Sequence, residues 1–311
     1  MGRTRSLLSA FAVTTLALAL AGCGAGGDGG GGSSASAPAA APSSAPAAEA
    51  PAVTKDDALA AQVPAAVSAD GKIVFGADAS YPPNEFTDTD GSTIIGMDVD
   101  LGTAVAQKLG LQAEFENSAF SGIIPGIEGA KYELGMSSFS INDDRVQTVD
   151  MVSYFTAGTS LAVKAGNPDG IRADDLCGKA VGVQAGTTQV EDLAARNSQC
   201  TTAGKAPISV SELQAQTDVT LALTANRVQA MLADSPVVAY AAKTTEGAVE
   251  AVGEPYDTAP YGVVLAKNQG DFGKAIQGAI QSLMDDGTYG KILEKWNVQG
   301  GAIPTSELRT Q

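Results

Sequence analysis

The segment MSSFSINDDR, Met136–Arg145, places three serines ahead of two aspartates and a single arginine. Tyr132–Ser137, which runs into it, reads as a strand, and a helix is expected to begin near Asn142. A strand that passes through a brief polar turn into a helix is the building step of α/β folds. The same step recurs on both sides of this segment.

Upstream, Lys72–Gly76 reads as a buried strand. Asp100–Leu109 reads as a helix, with Leu101, Val105 and Leu109 at four-residue spacing and Gly110 as its stop. Leu111–Glu116 is the next expected strand and Ile123–Ala130 a short helix. Downstream, Lys179–Gln184 reads as a strand, and Gly186-Thr187-Thr188 opens a helix. Asp218–Thr224 is helical, and Val228–Ala233 is a strand. Ser235 with Pro236 has the form of an N-cap followed by proline at the first helical position. Phe272, Ile276, Ala279, Ile280 and Leu283 share one helical face, Gly287 ends it, and Tyr289, Ile292, Leu293 and Trp296 form another. Two α/β units follow, each a mostly parallel sheet with helices on both faces.

The N-terminal segment is of another kind. Arg3 and Arg5 precede an apolar run from Leu7 to Leu20, and then comes Leu20-Ala21-Gly22-Cys23. A basic start, a short apolar core and small residues before a cleavage point make residues 1–22 a secretory signal. The run is too short to span a bilayer as a helix. Residues 24–52 are nearly all Gly, Ser, Ala and Pro, which bury no apolar surface and form a flexible tether. Residues 53–70 fit either a short helix or more tether.

Charge and residue counts exclude several functions. The chain carries 35 acids against 19 Lys and Arg, a net charge of −16. Loss of residues 1–22 would remove Arg3 and Arg5 and deepen the imbalance. Such a chain repels nucleic acid phosphates. It has no histidine, which removes Ser-His-Asp and Cys-His catalysis and the commonest zinc ligand. Cys177 and Cys200 remain once Cys23 is set aside. In an exported, oxidising setting an even pair is expected to form a disulfide, with two separate buried thiols as the alternative.

The chemistry of Met136–Arg145 has two readings. Its serines sit at the carboxyl end of a parallel strand and at a helix start, where small molecules are held in open α/β sheets. Free amides at a helix start attract anions. Arg145 in the first turn can fork onto a carboxylate through two parallel hydrogen bonds. The other reading is local capping, with Ser140 as cap, Asp143 at the third helical position and Arg145 as a surface charge.

The segments YPPNEF, GMDVDL, FSGIIPGIEGAKYELGMSSFSINDDR, VGVQAGTTQ, LADSP and DDGTYGKILEKW occur in that order. Together they resemble the bacterial extracellular solute-binding proteins of family 3, the amino-acid-binding components of ABC importers. The likeness runs from about Lys72 to Val298. Leu20-Ala21-Gly22-Cys23 resembles the bacterial lipobox, which implies a lipid on Cys23 and anchorage to the outer face of the cell membrane. The resemblance implies the two-lobed periplasmic-binding-protein fold. Lobe 1 would hold residues 71–158 and 261–298, and lobe 2 residues 159–260, with 299–311 a C-terminal tail. Hinge crossings would lie near Thr156–Ser160 and Thr258–Gly262. It also implies a monomer that closes over a free amino acid and works with a permease and its ATPase, without metal or cofactor.

Family roles carry over residue by residue. Arg145 would hold the ligand α-carboxylate, helped by Ser140 and the backbone of Ser138, with Thr188 meeting it from the other lobe. Asp234 would take the α-ammonium. Tyr81 and Phe120 would sandwich the ligand side chain, and Asp78 would meet its distal polar end. Gln184 sits where the family varies with ligand. Asn84 departs from the aromatic common at its position, as either a specificity residue or a surface change. No second cation accompanies Arg145 in these motifs, which argues against an acidic ligand and for a neutral polar or basic amino acid. Two other functions share the scaffold: a dehydratase acting on prephenate-like acids, and a sensor for a separate signalling subunit.

Overall fold

The computed structural model describes residues 53–310. The expected signal segment 1–22, Cys23 and the expected tether 24–52 lie outside the described residues.

Two short helices, α1 (Asp57–Ala60) and α2 (Ala65–Ser68), open this part. Residues 53–70 are therefore not simply tether. Asp56 accepts the amides of Ala58 and Leu59 as N-cap, Val63 is buried, and Val53 and Leu59 pack against the main core. There follow β1 (Lys72–Ala77), β2 (Ser80–Tyr81), β3 (Glu85–Thr87), β4 (Ile94–Ile95), α3 (Met97–Lys108), β5 (Gln112–Asn117), α4 (Phe120–Glu128), β6 (Leu134–Ser140), α5 (Asp143–Thr148) and β7 (Asp150–Lys164). Next come β8 (Ala180–Gln184), α6 (Thr188–Thr202), β9 (Ser209–Leu213), α7 (Gln216–Thr224), β10 (Ala230–Asp234), α8 (Ser235–Thr244), β11 (Val249–Leu265), α9 (Phe272–Asp285), α10 (Thr288–Trp296) and β12 (Leu308–Arg309).

The main sheet runs β5-β1-β6-β11-β7-β10-β8-β9, with β12 on β7. Strands β5, β1 and β6 are parallel, and so are β10, β8 and β9. Between these triplets lie β7 and β11, of 15 and 17 residues, antiparallel to each other and to the strand on either side. Each triplet anchors one lobe, with apolar clusters on both faces. In the first, Phe75, Leu101, Ile276 and Leu283 belong to one cluster and Ile123, Ile127 and Phe139 to the other. In the second, Val219, Leu223 and Val238 belong to one and Val181, Val183, Leu193 and Leu232 to the other. Burying large side chains of this kind stabilises the fold by about 1.5–3 kcal/mol each.

The boundaries follow from local chemistry. Helix α3 starts three residues earlier than its apolar spacing indicates, because Gly96 adopts φ +143° and passes so close to the Asn84 carbonyl that a Cβ would collide with it. Asn142, not Ser140, caps α5 by accepting the Arg145 amide. Ser235 is not the cap of α8 either; Asp234 occupies that position without a side-chain capping bond, because its carboxylate is engaged elsewhere. Cys177 and Cys200 form a disulfide with Cα atoms 5.5 Å apart, tying the last turns of α6 to the loop before β8.

Candidate functional site

The carboxyl ends of β1, β6, β8 and β10 meet between the lobes. Around them is a pocket lined by all nine residues singled out in the sequence: Asp78, Tyr81, Phe120, Ser138, Ser140, Arg145, Gln184, Thr188 and Asp234. Glu85, Ser137, Thr187 and Gln189 complete the lining. The space they enclose is about 10 Å³, on the order of a single water. Side chains that come from distant parts of the sequence thus close upon one another.

Arg145 is held between rings and carbonyls. Its guanidinium carbon lies 5.4 Å from the Phe120 ring centre and 5.3 Å from that of Phe139. Nη1 donates to the Ser140 carbonyl at 2.8 Å, and Nη2 donates to the Gly186 carbonyl of the other lobe at 3.3 Å. Burial pulls the guanidinium pKa down, and the charges of Asp234 and Glu191 oppose that shift. Half-buried Arg145 therefore lines the pocket with its guanidinium beside two rings, rather than standing out as a fully solvated surface charge.

Asp234 ends β10. Its Oδ1 accepts from Gln189 Nε2 and its Oδ2 from the Tyr261 hydroxyl, both at 2.6 Å. Burial pushes its carboxyl pKa up, while these donors, Tyr81 and Arg145 hold it down. Tyr81 is carried by the first lobe but packs into an apolar cluster of the second, and its hydroxyl accepts the Asp234 amide at 3.2 Å. Phe120 stacks on Phe139 at 4.5 Å.

Asp78 stands at the opposite end. Its Oδ1 accepts from the Ser80 hydroxyl and amide, and its Oδ2 from the Phe120 amide. Gln184 Nε2 reaches Asp78 Oδ2 from the other lobe, while Gln184 Oε1 is buried without a partner. Burial raises the Asp78 pKa against these four donors. Helix α6 begins at Thr188, and the N-cap Thr187 turns its hydroxyl to the Gln184 carbonyl instead of to the first-turn amides. The Val190 amide turns back to the Thr187 carbonyl at 3.1 Å, which leaves the Thr188 and Gln189 amides at the helix start as anion donors.

Several contributors were not legible in the sequence. Glu85, Thr187 and Gln189 lie in quoted motifs, but each has the look of a surface residue there. Asn84 is neither a pocket residue nor a surface change. It is wholly buried and its Nδ2 donates to Ser138 Oγ at 2.8 Å. The only signal that would have found these is that each lies within a few residues of a recognised contact.

Comparison with known proteins gives the family. Residues 73–299 match the family model for bacterial extracellular solute-binding proteins, family 3. The arginine-binding protein ArgT of Corynebacterium glutamicum is 33% identical over 247 residues, 79% of this chain and 81% of the relative. The L-cystine-binding protein TcyJ of Escherichia coli K12 is 28% identical over 73% of this chain and 82% of its own. Among solved structures, an ancestral arginine-binding protein bound to arginine superposes with a TM-score of 0.67 at 34% identity, covering 73% of this chain and 98% of that one. AncCDT-1, an ancestral amino acid-binding protein described as a precursor of cyclohexadienyl dehydratase, superposes with a TM-score of 0.67 at 30% identity over 74% and 97%. The chain belongs to the bacterial extracellular solute-binding proteins of family 3.

Proposed function

We propose that this chain captures a cationic amino acid outside the cytoplasm, with L-arginine the first candidate, and presents it to an ABC permease. The observation that carries the reading is the charge set of the pocket. Arg145 is its one cation, and Asp78 and Asp234 face it from separate segments. Glu85 also lines the pocket, where burial and the neighbouring Asp98 raise its pKa well above the carboxylate range, and in this reading it is taken as protonated. The balance of Arg145 against Asp78 and Asp234 is one negative charge, which complements an amino acid of net charge +1.

In this reading Arg145, Ser140, the Ser138 backbone and the first turn of α6 at Thr188 take the α-carboxylate. Asp234 takes the α-ammonium. Tyr81 and Phe120 flank the aliphatic stem. Asp78 and Gln184 take the distal guanidinium, whose donors replace the bond between them and supply Gln184 Oε1 with a partner. The named relatives that bind arginine support this choice. Entry requires the lobes to part, since the enclosed space is far smaller than an amino acid. Opening breaks the bonds from Arg145 to Gly186, from Gln184 to Asp78 and from the Gln216 amide to Ser80 Oγ. A lipid on Cys23, a flexible tether and an ATPase-driven permease complete the proposed setting, with the protein acting as a monomer.

A thermal-shift screen of the twenty amino acids, cystine and polyamines tests the reading. A ligand at a thousand times its dissociation constant adds about 4 kcal/mol of stability. A clear shift with arginine supports the proposal, and a shift only with acidic amino acids overturns it. A second reading is a dehydratase, favoured by one observation: Glu85 is a wholly buried carboxyl at the pocket whose pKa burial raises, toward the form a general acid needs. Incubation with prephenate-type acids tests it, and product formation would replace the transport reading.

A further inference from the structure

Glu85 opens β3 and Asp98 lies in the first turn of α3, and both are wholly buried. Ser138 Oγ lies 3.4 Å from Glu85 Oε2 and 3.3 Å from Asp98 Oδ2, so one hydroxyl touches both carboxyls. The two side chains are also within hydrogen-bonding reach of each other. The titratable groups facing them are Asp78 just past β1, Tyr81 on β2 and Tyr154 on β7, and none of these is a cation. Arg145 lines the same pocket, but its charge partners are Asp234 and Glu191. Two buried like charges without a counter-ion do not both ionise.

A count of donors places the missing proton. Ser137 Oγ accepts the Asp78 amide and donates to Glu85 Oε1 at 2.8 Å. Asp98 Oδ2 accepts the Ser138 amide at 2.8 Å and the Tyr154 hydroxyl at 2.7 Å. Asp98 Oδ1 is buried and has no partner. A proton on Glu85 Oε2 directed at Asp98 Oδ1 supplies that partner. It leaves Ser138 Oγ to accept from Asn84 and donate to Asp98 Oδ2.

We propose that Glu85 and Asp98 share one proton at neutral pH, and that this pair positions the serine edge of the pocket. The pair joins three segments: Glu85 holds Ser137, and through it the Asp78 amide; Asp98 holds Ser138, whose φ of +55° is the left-handed region that a serine adopts only under constraint. Ser137 and Ser138 both line the pocket. Glu85 and Asp98 are positioning residues, acting on the ligand through these serines. The proton-sharing claim stands on this geometry alone, and only its binding arm rests on the proposed ligand.

The test is infrared spectroscopy with ligand titration. At neutral pH the wild-type protein shows the carbonyl stretch of a protonated carboxylic acid, the band moves in heavy water, and it is missing from Glu85→Gln. No such band in the wild type, or its survival in Glu85→Gln, overturns the proposal. A glutamine amide can donate to Asp98 in place of the shared proton, so Glu85→Gln keeps its affinity for L-arginine within about threefold, whereas Glu85→Ala loses about tenfold or more. A loss beyond tenfold in Glu85→Gln, or none in Glu85→Ala, overturns the positioning role. If Glu85→Ala does not fold, the result with Glu85→Gln decides. Failure of the wild type to bind arginine would count against the ligand assignment and leave the infrared result in force.

Discussion

Gln184 Nε2 donates to Asp78 Oδ2 over 3.0 Å, although 106 residues separate them. The bond joins the carboxyl end of β8 to that of β1 and brings an amide to an acid at the distal end of the pocket. It also marks where a ligand's distal donor would compete.

Neutralising that acid reports on ligand charge. Asp78→Asn is expected to weaken L-arginine more than L-glutamine, by about tenfold or more between the two, because a buried charged hydrogen bond contributes roughly 1.5–3 kcal/mol. Calorimetric titration of both ligands into both proteins checks it. Equal losses would mean that Asp78 does not meet the cationic end.

Removing the guanidinium tests the other end. Arg145→Ala is expected to abolish the ligand-induced thermal shift while the protein still folds. Truncating one partner of a buried charge pair costs about 2–5 kcal/mol of binding. The same variant loses the contacts with Phe120 and Phe139, each of order 0.5–2 kcal/mol, so its own melting point falls modestly. A response to ligand as large as in the wild type would remove Arg145 from the site.

A methyl group at the seam should separate closure from folding. Gly186 has φ +77°, and a Cβ there would stand 2.9 Å from the Ser121 Cβ of the other lobe. Gly186→Ala is expected to cost about 1 kcal/mol in stability from backbone strain. The clash adds a further loss in affinity, because it exists only when the lobes are shut. Affinity and stability falling by the same free energy would contradict this.

The buried acid pair gives the protein an unusual pH dependence. Burial lifts Asp98 to about 6, against an ordinary aspartate near 4. The folded value is the higher one, so the associated stability is complete below the unfolded value and is lost as pH rises through about 6. Thermal melting of the wild type against Asp98→Asn across this window is expected to show the wild type losing ground as pH rises. Parallel curves would show that Asp98 does not titrate there.

Reduction of the Cys177–Cys200 disulfide is expected to lower stability by about 3 kcal/mol, the loop-closure value for its length. Arginine binding should survive, since the bond lies at the far end of α6 from Thr188. Chemical denaturation with and without reductant measures the first, and titration of the reduced protein measures the second.

Elements with one apolar period were legible in the sequence. Lys72–Ala77 is a short buried strand, and Leu101 and Val105 sit inside α3 with Leu109 as its C-cap. Eight of the nine site residues came from the ordered motifs and Asp78 from a matching position just ahead of them, and every one lines the pocket. Strands β7 and β11 were not visible as elements. Along β11 the burial changes from alternating and exposed to continuous and buried, so no single period marks it. Asn84, Glu85 and Gln189 were missed for a different reason. A polar residue is buried when it has partners, and theirs lie far along the chain: Asn84 on Ser138, Glu85 on Ser137, Gln189 on Asp234.

The pairing of β7 with β11 slips at Val252/Tyr256, at Tyr256/Ala259 and at Tyr261/Gly262. The outer stretches of this ribbon are stiffened, one by β12 at Met151 and Val152 and the other by β10 from Thr159 to Val163. A leaf spring held at both ends and missing rungs in its middle flexes in the middle. If the lobes part as proposed above, the backbone itself sets where the ribbon bends, and a bound solute governs only how long the two halves stay together.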